Sequence, residues 1–301
     1  MRENLLHEKI LKLIGDPSAP VVVGPGDDLA VLRLGDRTLM IGTDQVIDGV
    51  HVRLDEVGPS LAARKAVMRA FSDVAAMAGA PIGCLMTATL RRTTTQADAE
   101  EMVEAAATAA RECGAELIGG DTAMGNGPLV LGVTVVAEAA GIEPVLRSGA
   151  KPGDAIFVTG TLGGAWSGGA DARHLHFTPR IEEARHLAGR LTLHAMMDLS
   201  DGLSMDLPRI CRASDVDAEL DARHIPISPG SDLEAALHDG EDYELCFTVG
   251  ADQLDRVPDS IGTTSVRKIG RIVESAGPPG CWLVDAAQRR RLEAGGWEHR
   301  A

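Results

Sequence analysis

The chain has 301 residues, of which 45% are hydrophobic and 24% charged, as in an ordinary folded protein. Its 44 acidic residues against 29 basic ones give a formal net charge of −15, and aromatic residues make up only 3%. With no basic run, these figures argue against nucleic acid as a partner. At about 150 residues per domain, the length predicts two domains.

The five cysteines lie far apart and form no C-x-x-C pair, which disfavours a zinc cluster or a disulfide framework and indicates a reducing compartment. The first 15 residues have the pattern of an amphipathic helix and lack the apolar region of a signal peptide, and no 18-residue apolar run occurs. We therefore expect a cytoplasmic protein with no membrane partner. His174 and His176 are too weak a signal for a metal site, and we expect them in a surface loop.

Strand-like and helical segments alternate along the chain, which predicts a mixed α/β fold. The predicted helix over residues 60–79 has Val67, Phe71 and Val74 on one face, which leaves Lys65, Arg69 and Asp73 on the opposite face. In the first half we further predict strands over 39–44, 84–90, 115–122 and 129–139 and a helix over 99–114.

Residues 141–152 are rich in Gly and Pro, as domain junctions often are. We therefore predict an N-terminal domain over residues 1–138 and a C-terminal α/β domain over 139–301. The second unit is expected to contain a strand over 155–160, a helix near 181–195 and a turn into a strand over 239–249. Its segment "TLGGAWSGG" resembles a phosphate loop but lacks the lysine of a Walker A motif, so we interpret it as a flexible connection.

Acidic residues recur beside glycines or at the ends of apolar segments, in "GPGDD", "TD", "GGDT", "DLSDG" and "DGEDYE". Taken singly, each is more typical of a turn or a cap. As a set, they lie where loops gather at a sheet edge, which suits oxygen ligands for Mg²⁺. A metal held by such acids would bridge them to phosphate, which explains why acid follows a glycine-rich turn.

These segments, with "RKAVMRAFSDVAAMAGA", "RSGAKPGD" and "GEDYELCFTV", occur in an order that resembles the thiamine-monophosphate kinases. That family lies within the aminoimidazole-ribonucleotide-synthetase-like ATP-binding superfamily, and the resemblance runs from about Gly24 to the C-terminal "GGWEH". It implies a two-domain synthetase-like fold whose N-terminal mixed sheet pairs across a homodimer. The implied reaction is ATP-dependent phosphorylation of thiamine monophosphate to thiamine diphosphate by direct in-line transfer with several Mg²⁺ ions.

The resemblance also assigns roles to individual positions. The implied metal ligands are Asp28, Thr43, Asp44, Asp73, Asp121, Asp198 and Asp201, with Asp28, Asp121 and Asp201 as catalytic acids. The implied nucleotide contacts are Gly120, Asp121, Arg147 and Ser200. Thiamine monophosphate would meet His51, Glu241 and Trp297, since an indole can stack on a cationic thiazolium ring and Glu241 can accept from the aminopyrimidine.

Other interpretations stay open at this point. His51 also fits an ordinary turn histidine, Trp297 a core anchor and Arg147 a bridge between domains. Another ATP-using synthetase of the superfamily, or a nucleotide-binding regulator without turnover, would share the fold. Arg69 and Ala70 replace an apolar residue and an asparagine that are usual in the family. We expect Arg69 to pair with an acid outside the metal set and to leave Asp73 free.

Overall fold

The computed structural model describes residues 9–10, 12–15, 17–286 and 288–296. The first half of the chain forms a six-stranded sheet with the order β1-β2-β3-β6-β4-β5. All neighbouring strands are antiparallel except β4 and β5, which are parallel and are joined through a helix. The strands are β1 (Val21–Val23), β2 (Ala30–Leu34), β3 (Arg37–Ile47), β4 (Ala80–Arg91), β5 (Glu116–Gly125) and β6 (Val130–Glu138).

Two long helices, α1 (Leu54–Ala76) and α2 (Gln96–Glu112), accompany this sheet. Within α1, Gly58 adopts φ 76° and ψ 171°, so the helical stretch restarts at Pro59, where a missing N–H costs nothing. Thr95 caps α2 through a reciprocal pair of bonds with Asp98. The alanine-rich α1 packs in one core with the alternate residues of β4, such as Cys84 and Met86.

The second half forms a mixed sheet with the order β14-β13-β9-β12-β7-β10-β8, and β11 pairs with β12 at the side. The strands are β7 (Ala155–Thr159), β8 (Leu193–Asp198), β9 (Val216–Asp221), β10 (Leu245–Val249), β11 (Ser260–Ile261), β12 (Thr264–Glu274), β13 (Cys281–Asp285) and β14 (Gln288–Arg291). The helices are α3 (Arg173–His176), α4 (Ile181–Ala188), α5 (Leu203–Ser214) and α6 (Leu233–His238).

The predicted mixed α/β architecture is confirmed, and most predicted elements occur within a few residues of their expected bounds. The helix expected near 181–195 was wrong in its second half. It ends at Ala188 with Gly189 as its cap, and the following apolar run enters β8, where Met196 and Met197 are buried. The apolar residues after Gly189 therefore form a strand and do not continue the helix.

The five cysteines are free thiols, and each is buried. Across the part of the chain that the structure describes, none of the helices has both the length and the apolar character that a membrane crossing requires.

Gly240 lets the loop before β10 lie against the loop after β8. It adopts φ +72°, and a Cβ there would lie 2.9 Å from the carbonyl oxygen of Ser200. The N–H of the next residue, Glu241, donates to the same oxygen at 2.8 Å. The glycine thus fixes the backbone position from which the Glu241 side chain projects.

We expect Gly240→Ala to lower the free energy of unfolding by about 1–3 kcal/mol more than the control Gly230→Ala. Both glycines have a positive φ, but a Cβ at Gly230 meets nothing within 4 Å. The backbone strain is therefore shared, and only the steric contact differs. Urea unfolding of both variants measures this difference, and equal losses would show that the close approach at Gly240 does not matter.

Candidate functional site

Three carboxylates from distant parts of the chain meet between the two sheets. Asp28 lies just before β2, Asp73 lies in α1, and Asp198 ends β8. One oxygen of each lies within 4.8 Å of the others. Such a set of oxygen donors suits a hard divalent cation such as Mg²⁺.

The surroundings of Asp73 and Asp198 oppose the ionisation of these two acids. Burial, followed by the charge of Asp28, raises the pKa of Asp198 to about 7, although Ser72 donates to this carboxylate at 2.5 Å. Burial and the charge of Asp198 raise the pKa of Asp73 well above its ordinary value. Two of these three adjacent carboxylates resist ionisation, and a divalent cation among them would offset their mutual repulsion. The residues present therefore fit a metal ion.

Arginines compensate part of the negative charge around the cluster. Arg147 donates to both oxygens of Asp28, at 2.5 and 3.2 Å, and its backbone N–H donates to Asp27. Arg209 bridges Asp201 and the buried Asp206, with both distances 2.5 Å. Arg147 lies in the segment that joins the two sheets and thus links this segment to Asp27 and Asp28 in the first half of the chain.

Arg69 does not contact Asp73 but forms two hydrogen bonds to Asp44, of 2.8 and 3.2 Å. The expectation that Arg69 leaves Asp73 free is confirmed. The expectation of a partner outside the metal set was wrong, since Asp44 belongs to that set. The Arg69 side chain extends from α1 to Asp44 on β3, so it does not pair with Asp73 four residues later in the same helix.

A buried polar cluster lies beside these acids, and of its members the sequence predicted a site role only for His51 and Glu241. Lys65 is fully buried, and its ammonium donates to the carbonyl of His51 at 2.7 Å and contacts His174 at 2.6 Å. It also forms an ion pair with Glu241, whose other oxygen accepts from Tyr243 at 3.2 Å.

The electrostatics of this cluster favour a charged Glu241. Burial alone would raise its pKa, but the hydrogen bond from His174 and the charge of Lys65 hold the pKa below its ordinary value. Burial lowers the pKa of Lys65 to about 8, against the opposing pull of Glu241. Glu241 and Tyr243 both adopt positive φ, of 53° and 52°, a strained conformation for non-glycine residues that the surrounding structure must hold in place.

One sequence interpretation fails at this cluster. His174 was expected in a surface loop but is only 5% exposed, because α3 turns it against Lys65 and Glu241. Lys65 lies on the helix face shared with Arg69 and Asp73, as expected, and that face is buried at Lys65. The available signal was the spacing of Lys65, Arg69 and Asp73, a polar stripe at i, i+4 and i+8 of one helix.

A cleft of about 1450 Å³ runs past both clusters. Ten of the predicted site residues line it together, drawn from both halves of the chain. They are Asp28, Thr43, Asp44, His51, Asp73, Arg147, Asp198, Ser200, Asp201 and Glu241.

Two predicted site residues that the structure describes are not brought to this cleft. Gly120 and Asp121 lie on β5, where both are exposed. Asp121 pairs in register with Thr87 of β4, which lines the cleft, so Asp121 lies one strand beyond its wall on the same face of the sheet. Trp297 lies outside the described residues.

Residues 26–139 match the family model of AIR synthase related protein, N-terminal domain, and residues 151–278 match the C-terminal domain of the same proteins. The thiamine-monophosphate kinase of Rhodopirellula baltica is 36% identical over 298 residues, which cover 93% of this chain and 92% of that protein. The thiamine-monophosphate kinase of Escherichia coli K12 is 37% identical over 259 residues, which cover 76% of this chain and 77% of that protein.

A solved structure described as AaThiL complexed with AMPPCP and TMP superposes on this chain with a TM-score of 0.83 and 27% identity. The superposition covers 99% of this chain and 97% of that one.

We expect the melting temperature of the metal-free protein to fall as the pH rises from about 5.5 to 8. The pKa is raised to about 6 for Asp27, and to about 7 for Asp198 and Asp242, by burial first in each case. In this range the folded state therefore binds more protons than the unfolded state, so stability decreases with pH. Thermal unfolding in EDTA measures the slope.

Asp198→Asn is the matched variant and should make the slope shallower. Mg²⁺ added at pH 8 should raise the melting temperature of the unaltered protein, because the cation binds the ionised carboxylates. A melting temperature that is constant or rises between these pH values in EDTA would contradict the interpretation of the buried acids.

Proposed function

Because this chain belongs to the thiamine-monophosphate kinase family of AIR-synthase-related proteins, we propose that it phosphorylates thiamine monophosphate with ATP. The products would be thiamine diphosphate and ADP. The observation that supports this most directly is the cluster of Asp28, Asp73 and Asp198 at a cleft large enough for both substrates. The described relative with AMPPCP and TMP bound supports the same pair of substrates.

The chemistry requires positioning more than acid-base catalysis. An oxygen of the acceptor phosphate forms a bond to the γ-phosphorus of ATP while the bond from that phosphorus to the ADP oxygen breaks. The acceptor oxygen is already anionic at neutral pH, so no strong general base is needed. The obstacle is the repulsion between two polyanions that must lie in line.

Asp28, Asp73 and Asp198 would hold the first Mg²⁺, with Thr43, Asp44, Asp121 and Asp201 available for others. When bound, Mg²⁺ neutralises phosphate charge and aligns the oxygens. Arg147 and Arg69 supply further positive charge at the same cleft and are each held in place by a carboxylate. Ser200 lies in the loop after β8, where it can donate to a phosphate oxygen.

On the acceptor side, we propose that Glu241 accepts a hydrogen bond from the aminopyrimidine and that His51 lines the same region. Lys65, His174 and Tyr243 fix the Glu241 carboxylate. The carboxylate is therefore presented in one orientation without having to be ordered by the substrate. Trp297 remains a proposed contact of the thiazolium ring.

A homodimer would explain the position of Gly120 and Asp121. Strand β4 turns Cys84 and Met86 into the core and leaves Leu85 37% exposed on the opposite face, and Ile118 on β5 is 58% exposed. We propose that a second copy covers this face and brings the exposed Asp121 into a metal and nucleotide site near the subunit junction. Burial of such apolar side chains would drive the pairing.

Asp28→Asn should reduce turnover by at least about a hundredfold, the scale of losing one positioned electrostatic group. The matched control is Asp36→Asn, because Asp36 is an exposed acid on the turn before β3. ADP release with purified protein, Mg²⁺ and ATP, with and without thiamine monophosphate, is the assay. ADP release that does not depend on the acceptor, or ATP binding without turnover, would reject the proposed kinase.

The purified protein should have twice the mass of the 31.6 kDa chain in light scattering, with or without ATP. Leu85→Asp combined with Ile118→Asp should give monomers, since burying two carboxylates in an apolar interface is costly. Val103→Asp is the control, because Val103 is exposed on α2 instead. A monomeric unaltered protein that keeps full activity would contradict the proposed pairing.

A further inference from the structure

A second cavity, of about 590 Å³, adjoins the large cleft and has a more apolar wall. Its wall includes Val50, Val52, Val57 and the indole of Trp166, whereas the large cleft is lined by many acids and arginines. Val50 and Trp166 border both spaces. A partly apolar chamber that opens onto a charged cleft suits a substrate with an organic ring system at one end and a phosphate at the other.

Trp166 is held at this border by its own loop. The N–H of Gly163 donates to Asp242 and that of Gly164 donates to Asp239, each at 2.9 Å. Ala165 is fully buried, and its carbonyl accepts from the N–H of His174 at 3.1 Å. The N–H groups of Gly163 and Gly164 are therefore bound to carboxylates of the chain and are not free to bind a phosphate. The loop places the Trp166 indole at the border between the cleft and the second cavity.

The indole is supported by the buried cluster and is partly open. Its ring stacks on that of His174, with centroids 4.2 Å apart and planes 30° apart, and the Lys65 ammonium lies 4.8 Å from its centre. The residue is nevertheless 40% exposed, so part of the ring is available to a ligand. An electron-rich ring of this kind attracts a flat cation.

The positive charges nearby are balanced and do not oppose a cation. Lys65 is paired with Glu241, and Arg53 at the cavity wall is paired with Glu56 at 3.1 Å, so both positive side chains are compensated. A large indole also contributes contact area at little cost in side-chain entropy, because it has only two rotatable bonds.

We propose that Trp166 is the aromatic wall of the acceptor site and that the second cavity takes the heteroaromatic, cationic end of the acceptor, with its phosphate directed into the cleft. This rests on the proposed function for the identity of the acceptor. Trp166 then determines specificity for the ring system and makes no contribution to phosphate transfer itself.

Trp166→Ala should raise the KM for thiamine monophosphate about tenfold, the scale of losing one stacked aromatic contact. Its kcat and its KM for ATP should change less than about threefold. Trp166→Phe keeps an aromatic ring and should restore most of the acceptor KM. Trp282→Phe is the matched control and should change none of these constants, because Trp282 lies on β13 and bonds to Asp217.

Fluorescence separates this inference from the proposed function, since it requires no turnover. The chain has three tryptophans, so Trp297→Phe, which keeps an aromatic ring for the proposed thiazolium contact, leaves only Trp166 and Trp282 as reporters. In that background, thiamine without a phosphate should quench the emission, and adding Trp166→Phe should abolish the quenching. Quenching that persists, or equal increases in both KM values for Trp166→Ala, would overturn the assignment. If the unaltered protein shows no acceptor-dependent ADP release, only the proposed function fails, and the titration still decides whether the cavity binds heteroaromatic cations.

Discussion

Repulsion among buried carboxylates is the constraint around which this molecule is organised. Asp28, Asp73 and Asp198 each come from a different element, and no local segment could hold them within 4.8 Å. Ionised acids at such distances are unfavourable away from water, because burial weakens the solvation of each charge and strengthens the repulsion. The two sheets and α1 must therefore supply the free energy that keeps the acids together.

Helix α1 contributes to this free energy through the packing of its buried side chains. Its buried side chains, among them Ala66, Phe71 and Val74, join a core that also includes residues of β3, β4 and β6. The same helix directs a polar stripe of Lys65, Arg69 and Asp73 toward the cleft. One rigid element thus sets the distance between the proposed metal site and the buried Glu241 cluster, as transfer between two bound phosphates requires.

The sequence predicted the acids of the site better than their partners. Acids at strand ends and beside glycines can be recognised in the sequence, since turns and strand ends are local features. The pairing of Arg69 with Asp44 joins residues 25 positions apart, and that of Lys65 with Glu241 joins residues 176 apart. Such partners depend on how the two sheets pack, which the pattern along the chain does not encode.

His174 illustrates the same limit. A histidine in a short polar segment predicts exposure, and only the packing of α3 against α1 explains its burial. The mixed α/β fold was predictable because strand and helix patterns alternate clearly. The end of α4 was not, since the apolar residues after Gly189 satisfy a helical and a strand pattern equally.

The most direct measurement of the central claim is the anomalous diffraction of a crystal grown with Mn²⁺ in place of Mg²⁺ and a nonhydrolysable ATP analogue. Mn²⁺ prefers the same oxygen ligands and gives a signal that locates each ion. The account predicts a peak among the carboxylates of Asp28, Asp73 and Asp198, next to the phosphates of the analogue. A nucleotide bound in the cleft with no ion among these three carboxylates would contradict it.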